Sequence, residues 1–345
     1  MKKRFSDSVR SLMRIIRRSY VALASSTKGT HFFALRDLAK SQALLKGNLD
    51  DSISGTLWSA GFLPGRPVGI DFEKHSEMRG RKTCGILGSG TSLNNLNQRE
   101  KALLDSIDLI TFNNSHLAPF RPKFHVMQFP LQRLAWWRKE LRWEGQELLE
   151  RNVWKQDSSR LQGVFVFRRT SSTFFRSRLP SEFERWVVNT YPNSARLRLV
   201  YLPGHNLSKL GLILDSLRYL LEPWSNRSRL LTLKPGSSLP MCVLLAANLG
   251  YEQIVLAGCD LKSRRHFYDE SSYQQRYDPE GNSGVFDIDG GSFTIEELFT
   301  DGRETSPIDD LVQVAECLDA RSISKVFLVN DDSRYFPRIP VFPFE

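Results

Sequence analysis

Short apolar runs alternate with longer segments of helical periodicity between Thr83 and Val329. Each run has the length of a buried strand, and several of them are followed directly by Gly, Asn or Asp. The strands predicted in this way are Thr83–Leu87, Leu109–Phe112, Phe124–Met127, Gly163–Phe167, Leu197–Leu202, Gln253–Ala257 and Lys325–Val329.

The segments between these runs have the spacing of helices. Asn97 precedes one of them, and Glu100 follows three residues later, which is the signature of a capping box. Strands that alternate with helices imply right-handed crossovers and a parallel sheet. We therefore expect an α/β fold, with a single Rossmann-like nucleotide-binding domain over residues 81–345. The predicted helices are Gln98–Ile107, Leu131–Arg151, Asn206–Leu221, Leu239–Leu249 and Pro307–Leu318.

Two segments depart from this alternation. Residues 262–305 are rich in Tyr, Asp, Gly and Arg and are too long for an ordinary connection, so they predict a lid-like insertion. Residues 1–80 lack strand-like runs and contain clusters of Ser, Gly and Pro. They predict an N-terminal helical extension, with one or two helices near Ala34–Leu45.

Charge adds an expectation about partners. The net charge of +10 favours anionic partners such as nucleotide phosphates, acidic sugars, nucleic acid or anionic lipid. Residues 1–22 are strongly basic and amphipathic, which is typical of a helix that lies on an anionic membrane surface. A solvated helix or a loose tail would have the same pattern. The apolar positions at helical spacing are Phe5, Val9, Leu12, Ile16 and Tyr20.

Cysteine usage and hydropathy indicate the compartment. None of the four cysteines forms a C-x-x-C pair, and each lies in an apolar run, so neither a disulfide framework nor a zinc site is expected. No apolar run reaches the roughly 18 residues of a membrane-spanning helix. We expect a cytoplasmic protein that residues 1–22 hold peripherally at the inner membrane.

A glycine-rich turn follows the first predicted strand. Glycines there let the backbone approach a ligand closely, with amide N–H groups towards a phosphate or ribose. Leu93 replaces the third glycine of the dinucleotide fingerprint, which disfavours a nicotinamide cofactor. A tight strand-to-helix turn is the alternative. The candidate nucleotide-binding residues are Gly88, Ser89, Gly90, Thr91 and Ser92.

Asn113 and Asn114 follow the second predicted strand. An Asn side chain both donates and accepts, so it can contact a base edge or a ribose hydroxyl. The position lies beyond the carboxyl end of a strand, where open parallel sheets bind ligands. Asn also suits turns on its own account.

Lys234 and Pro235 lead into Gly236, Ser237 and Ser238, directly before a very apolar predicted helix. The free N–H groups and the dipole of that helix start could hold a donor phosphate. Simple capping by Ser237 or Ser238 is the alternative.

Three candidate catalytic residues follow the strand Gln253–Ala257. Asp260 lies just beyond its end and either orients a ligand or caps the next turn. His266 lies in the long polar segment after this strand, where an imidazole could take a proton from an attacking hydroxyl. Tyr268 is close to it in sequence. A surface position is the alternative for His266.

Two further patterns are weaker. Asp287 and Asp289 have the D-x-D spacing of metal-dependent sugar transferases, but adjacent glycines make a hairpin the better interpretation, and no metal site is predicted. Basic residues alternate with Trp136, Trp137 and Trp143 at helical spacing. That pattern favours a helix with a buried aromatic face over a nucleic-acid surface.

The motifs ILGSGTSL (residues 86–93), PGSSLPMCVLLAANLGY (235–251), IVLAGCD (254–260) and HFYD (266–269), with Asn113-Asn114 between the first two, form a series. This series resembles the bacterial CMP-sialic-acid-dependent sialyltransferases and related uncharacterised surface-polysaccharide glycosyltransferases. The resemblance covers about residues 82–345. Sialyltransferases usually have Asn where this chain has Ser89, and His266 matches the uncharacterised relatives better.

The resemblance implies one modified nucleotide-binding domain with a lid that acts without metal or other cofactor. It also implies a His base and tyrosines that help the phosphate to leave, for which Tyr268, Tyr273 and Tyr277 are available. By this resemblance the residues around Gly88 and Asn113 or Asn114 would hold the cytidine nucleotide, and residues 236–238 would contact the donor.

The leading hypothesis is therefore a glycosyltransferase that moves an acidic sugar from a CMP-activated donor to a glycan or glycolipid acceptor, with no nucleic-acid partner. Two alternatives stay open. One is a pyrophosphokinase-like enzyme, which would need ATP and Mg²⁺. The other is a non-catalytic module that binds a membrane or nucleic acid.

Overall fold

The structure is a computed structural model in which the main elements are short strands and helices. The strands are β1 (Thr83–Leu87), β2 (Asp108–Phe112), β3 (Phe124–Phe129), β4 (Gly163–Arg168), β5 (Ala195–Arg196), β6 (Leu199–Leu202), β7 (Thr232–Pro235), β8 (Gln253–Ala257) and β9 (Lys325–Leu328). The helices are α1 (Gln98–Ser106), α2 (Ser238–Asn248), α3 (Ser271–Tyr277) and α4 (Pro307–Ala320). The structure describes residues 77, 79–129, 161–168, 191, 193, 195–196, 199–202, 210–211, 232–235, 237–261, 266–269, 271–277 and 306–344.

The main sheet has seven strands in the order β5-β4-β3-β2-β1-β8-β9. Every neighbouring pair is parallel, which confirms the predicted α/β fold with a parallel sheet. The chain runs from β1 outwards through β2, β3 and β4, and later adds β8 and β9 on the other side of β1. The strand order therefore reverses between β1 and β8, and such a switch point opens a crevice at the carboxyl ends of the strands.

Both faces of the sheet are covered, because side chains along each strand alternate between them. Cys84 and Ile86 of β1 pack with α2 and α4 on one face. Leu87 of the same strand packs on the other face with Leu104 of α1 and with Phe267. The core thus lies in two layers that hold β1 and β8 rigidly at the centre.

The helix starts follow from their sequences. The Asn97 side chain accepts from the Glu100 amide, and the Glu100 carboxylate accepts from the Asn97 amide, so the predicted capping box begins α1. Ser306 caps α4 in a similar way, and Pro307 occupies the first turn. α2 is buried almost all round, as expected for a helix under a sheet.

A buried carboxylate closes the amino edge of the sheet. Asp108, at the start of β2, accepts from Lys123 Nζ at 3.0 Å and from Tyr251 Oη at 2.9 Å. It also accepts from the amides of Gly80 and Arg81 at 2.8 and 3.2 Å. Burial, with smaller effects from Cys84 and Asp108, raises the pKa of the Tyr251 phenol. This network fixes the segment before β1 to the amino edge of the sheet. The crevice lies at the other edge, where the strands end.

Several predictions need correction. β6 and β7 form a separate two-stranded parallel sheet and do not join the main sheet. Lys234 and Pro235 end β7 and are not part of a loop, because they pair with Tyr201 and Leu202. The segment predicted as a lid-like insertion contains α3, a helix that the sequence did not predict. The predicted segments 1–76, 131–151 and 278–305, with Asp287 and Asp289, lie outside the described residues.

Candidate active site

The glycine-rich turn after β1 is bound to the end of β8. The Gly88 amide donates to Ala257 O at 2.8 Å, and the Gly90 amide donates to Gly258 O at 2.7 Å. A Cβ atom on Gly88 would lie 2.2 Å from Gly258 O, so this approach requires glycine. The turn therefore lies against β8, directly above the point where the strand order reverses.

The Asp260 carboxylate supports this turn from beneath. Asp260 is 4% exposed, and its Oδ2 accepts from the Ser92 amide at 2.7 Å. A Cβ atom on Gly90 would lie 1.8 Å from Asp260 Oδ1, so the carboxylate occupies the space that a side chain at Gly90 would need. The predicted carboxylate does reach the site, where it contacts the backbone of the loop.

This arrangement leaves fewer loop amides for a ligand than the sequence suggested. The N–H groups of Gly88, Gly90 and Ser92 all donate to acceptors within the protein, because β8 and Asp260 lie so close. Ser89 and Thr91 are half-buried. Within the described residues, the Ser89 amide and hydroxyl have no hydrogen-bond partner, so they are the groups that the loop can offer.

The segment that carries His266 returns to the glycine turn. Gly90 and His266 form an antiparallel bridge, and the Phe267 amide donates to Ser89 O at 3.0 Å. Phe267 is fully buried in the core, and Asn94 Nδ2 donates to its carbonyl at 3.2 Å. These contacts bring His266 beside the predicted nucleotide loop.

The rings of His266 and Tyr268 stack on each other. Their centroids are 4.9 Å apart, and their planes differ by 18°. His266 is half-buried, whereas Tyr268 is 3% exposed. The Tyr268 hydroxyl accepts from Asn114 Nδ2 at 3.1 Å, which links this segment to the turn after β2. Asn113 is exposed and has a left-handed backbone with φ 51°.

The structure adds two histidines to which the sequence assigned no role. His116 and His125 are buried beneath the Asn113–Asn114 turn, with ring centroids 4.9 Å apart. His116 Nδ1 lies 2.8 Å from Asn113 O, and His125 Nδ1 lies 2.8 Å from Thr111 Oγ1. The sequence does contain a signal for one of them. His125 lies within the apolar strand β3, and a histidine buried in such a run needs polar partners.

The start of α2 lies at the same edge of the sheet. α2 packs against β1, β2 and β8, and only residues 249–252 separate it from β8. A helix joined so closely to the following strand runs antiparallel to it, which puts Ser237 and Ser238 at the carboxyl edge. Both are half-buried, and Ser237 makes no capping bond through its side chain. Gly236 lies outside the described residues.

Cys259 stays a thiol in this setting. Burial, followed by the nearby Asp260 carboxylate, raises its pKa, and its Sγ lies 3.4 Å from Ala257 O. A thiol held in this form is a poor nucleophile.

Two further features concern metal ions and membranes. In the described part of the chain, no three His, Cys, Asp or Glu side chains are grouped so that they could hold a metal ion. None of the helices in the same residues is both long and apolar enough to cross a membrane.

No protein-family model and no curated protein matches the chain. Among solved structures it is similar to the sialyltransferase CstII from Campylobacter jejuni in complex with the substrate analogue CMP-3FNeuAc. The two chains are 13% identical, the match covers 76% of this chain and 85% of that one, and the TM-score is 0.39. It is also similar to the monofunctional α-2,3-sialyltransferase Cst-I from Campylobacter jejuni, at 18% identity, over 76% and 83%, with a TM-score of 0.38.

A third match is the MAf glycosyltransferase of Magnetospirillum magneticum AMB-1, at 16% identity, over 83% of this chain and 40% of that one, with a TM-score of 0.34. Likenesses of this size carry no conclusion about activity.

Proposed function

We propose that this protein is a glycosyltransferase that moves an acidic sugar from a CMP-activated donor to a hydroxyl of a glycan or glycolipid. One observation carries the proposal. The glycine turn after β1, the Asn113–Asn114 turn after β2 and the segment with His266 and Tyr268 meet at the carboxyl edge of the sheet, where the strand order reverses. This is the place where open α/β sheets bind nucleotides.

Nucleotide binding would use groups that the fold leaves available. Ser89 is half-buried and would offer its amide and hydroxyl, and Asn113 offers an exposed amide side chain. The glycines of the turn bring the backbone close, whereas their own N–H groups hold the turn in place. We therefore assign Ser89, Thr91 and Asn113 to direct contacts, and Gly88, Gly90 and Ser92 to the shape of the turn.

The donor phosphate would bind at the start of α2. Pro240 in the first turn has no N–H, so Ser238 and Leu239 carry first-turn amides of the kind that an α-helix leaves without an intrahelical acceptor. Because the Ser237 side chain does not cap these amides, the helix dipole and the two N–H groups are open to an anion. Gly236, Ser237 and Ser238 are thus proposed as phosphate contacts.

The reaction would be a displacement at the anomeric carbon. An imidazole exchanges protons near neutral pH, so His266 would take the proton from the acceptor hydroxyl. The acceptor oxygen then bonds to the anomeric carbon, while the bond from that carbon to the phosphate oxygen breaks and CMP leaves with the electron pair. No metal ion enters this scheme, so we expect transfer to continue in the presence of a chelator.

Tyr268 would stabilise the leaving phosphate. Asn114 Nδ2 donates to the Tyr268 oxygen at 3.1 Å and so fixes the position of the phenol. A donor held in position before the reaction is worth more than one that must reorient. In this scheme Asn114 and Asp260 are positioning residues: Asn114 directs the Tyr268 hydroxyl, and Asp260 holds the loop through the Ser92 amide.

Isothermal titration with CMP, UDP and GDP tests the donor. We expect saturable binding of CMP, weaker binding of the other two, and a loss of about tenfold in CMP affinity for Ser89→Ala, the size of one lost hydrogen bond in a binding site. Saturable binding of UDP or GDP without CMP would remove the CMP assignment. A chain that binds none of them would overturn the proposed function.

We also propose that residues 1–22 hold the enzyme on anionic membranes, where glycolipid acceptors reside. Their basic and amphipathic sequence supports this, since each Lys or Arg near an anionic surface contributes about 1 kcal/mol. Co-sedimentation with phosphatidylglycerol vesicles at low salt is the test. Binding should fail with phosphatidylcholine vesicles or after removal of residues 1–22, and persistence in either case would reject this role.

A further inference from the structure

The turn that carries His266 contains a carboxylate with one unused oxygen. Asp269 Oδ2 accepts from the His266 amide at 2.6 Å, and the Asp269 amide donates back to His266 O at 3.1 Å. These two bonds close the turn from His266 to Asp269. Asp269 Oδ1 is buried, and no group in the described residues donates a hydrogen bond to it.

A buried carboxylate oxygen without a donor is unfavourable. Leaving a buried polar group unpaired costs about 1–3 kcal/mol, and more when the group is charged. Native proteins keep few such groups, and each one that persists needs a cause such as a catalytic role, strain, or a bound water or ion. The turn is closed through Oδ2 alone. Closing the turn therefore does not explain why Oδ1 is buried without a hydrogen-bond donor.

The position of Asp269 indicates what kind of ligand would pair with it. The same turn forms the bridge to Gly90 and stacks His266 on Tyr268, so it forms one wall of the candidate active site. A carboxylate accepts hydrogen bonds from hydroxyl groups but repels phosphates and carboxylates. The donor proposed above is anionic, whereas an acceptor sugar offers neutral hydroxyls.

We infer that Asp269 Oδ1 binds a hydroxyl group of the acceptor sugar and holds it beside His266. This inference rests on the proposed transferase function and adds a residue that recognises the acceptor. Because His266 and Asp269 belong to one closed turn, a hydroxyl bound by Oδ1 would be held in a fixed relation to the imidazole. Such positioning accelerates a reaction by reducing the freedom of the reacting groups.

Asp269→Asn is the informative variant. Its side-chain oxygen can still accept from the His266 amide, so the turn stays closed, while an NH₂ group replaces the unpaired oxygen. With CMP-N-acetylneuraminate as donor and a panel of neutral oligosaccharides as acceptors, we expect kcat/KM for the acceptor to fall about 10–100-fold. CMP affinity and acceptor-independent release of CMP should stay within about threefold of the wild type. Asp319→Asn, the same change on the exposed surface of α4, is the matched control.

The outcomes separate this inference from the proposed function. A wild-type protein that binds CMP, together with an Asp269→Asn variant that keeps the wild-type kcat/KM for the acceptor, would overturn the role of Asp269 alone. An equal loss of CMP affinity and acceptor transfer would also overturn it, since the carboxylate would then serve the turn as a whole. If the wild-type protein binds no CMP or transfers to none of the acceptors, both proposals fail.

Discussion

At the scale of single residues, Gly90 is a position where one added carbon atom should disrupt the glycine-rich turn. Its Cβ would lie 1.8 Å from Asp260 Oδ1, so the carboxylate would have to move and release the Ser92 amide. We expect Gly90→Ala to lower the free energy of unfolding by about 1–3 kcal/mol, the cost of leaving a buried amide unpaired. CMP affinity should fall about tenfold or more, because the loop loses its shape. Urea unfolding and isothermal titration measure the two effects.

A double-mutant cycle shows whether this contact is the cause. In an Asp260→Ala background the added methyl group has room, so Gly90→Ala should cost much less than it does in the wild type. A coupling free energy of about 1 kcal/mol or more between the two changes would support the contact. Additive effects would mean that Gly90 matters for another reason.

The contact between the glycine turn and Asp260 could be predicted only in part from the sequence. The glycine turn and Asp260 each followed a predicted strand, so the sequence placed both at the carboxyl edge of one sheet. The bond between Ser92 and Asp260 joins residues 168 positions apart, and no local pattern predicts such a pairing. The same holds for the unpaired oxygen of Asp269, which depends on how one turn packs.

At the scale of elements, α1 and α2 begin with similar residues that have different tasks. Asn97 caps α1 through its side chain, whereas Ser237 at the start of α2 does not. Asn97→Ala should therefore cost about 1 kcal/mol of stability, the usual value of an N-cap, without a change in CMP affinity. Ser237→Ala should cost less than about 0.5 kcal/mol but weaken CMP binding severalfold. Denaturant unfolding and titration with CMP and cytidine distinguish the two positions.

Cytidine is the internal control for this comparison, because it lacks the phosphate. Ser237→Ala should leave cytidine affinity unchanged if the start of α2 binds the phosphate. If Ser237→Ala lowers stability as much as Asn97→Ala is expected to, and leaves CMP binding unchanged, Ser237 is an ordinary helix cap.

The elements that the sequence predicted best are those with the simplest environment. β1 and β8 are buried on both faces, so their apolar runs match the observed bounds Thr83–Leu87 and Gln253–Ala257. β7 was missed, because Thr232–Pro235 pairs only with β6 and contains Lys234 and Pro235. α3 was missed because its residues, SSYQQRY, show no apolar stripe. Exposed or marginal elements depend on tertiary contacts, which leave no regular pattern.

At the scale of the whole molecule, buried phenols and thiols make stability sensitive to alkaline pH. Burial raises the pKa of Tyr251, Tyr335, Cys84 and Cys259 in the folded chain. In the unfolded chain thiols ionise near about pH 8.5 and phenols near about pH 10. The folded state then binds more protons than the unfolded state, so stability falls as pH rises above these values. Urea midpoints at neutral and alkaline pH should show this decline.

Tyr335→Phe tests the cause of that decline. It keeps the ring of a fully buried residue and removes one titrating group. The variant should lose less stability between about pH 9 and 11 than the wild type does. An unchanged slope would exclude Tyr335 as a contributor.

We expect the two edges of the sheet to have separate roles, with stability at the amino edge and nucleotide binding at the carboxyl edge. Asp108 accepts hydrogen bonds from Lys123, Tyr251 and two amides at the amino edge. Ser89 lies at the carboxyl edge, and no group among the described residues pairs with its amide or hydroxyl. Asp108→Ala leaves the buried Tyr251 hydroxyl and the half-buried Lys123 ammonium without their acceptor, so it should cost about 1–3 kcal/mol of stability. Its CMP affinity, measured under conditions where the variant is folded, should stay within about twofold of the wild type.

Ser89→Ala should have the opposite profile, with a clear loss of CMP affinity and a stability change within about 0.5 kcal/mol. The pair of variants tests the proposed division directly, because each serves as the control for the other. Should Asp108→Ala weaken CMP binding in the folded state as much as Ser89→Ala does, the two edges are coupled through the strands. The crevice would then depend on the whole sheet, and binding could not be assigned to the carboxyl edge alone.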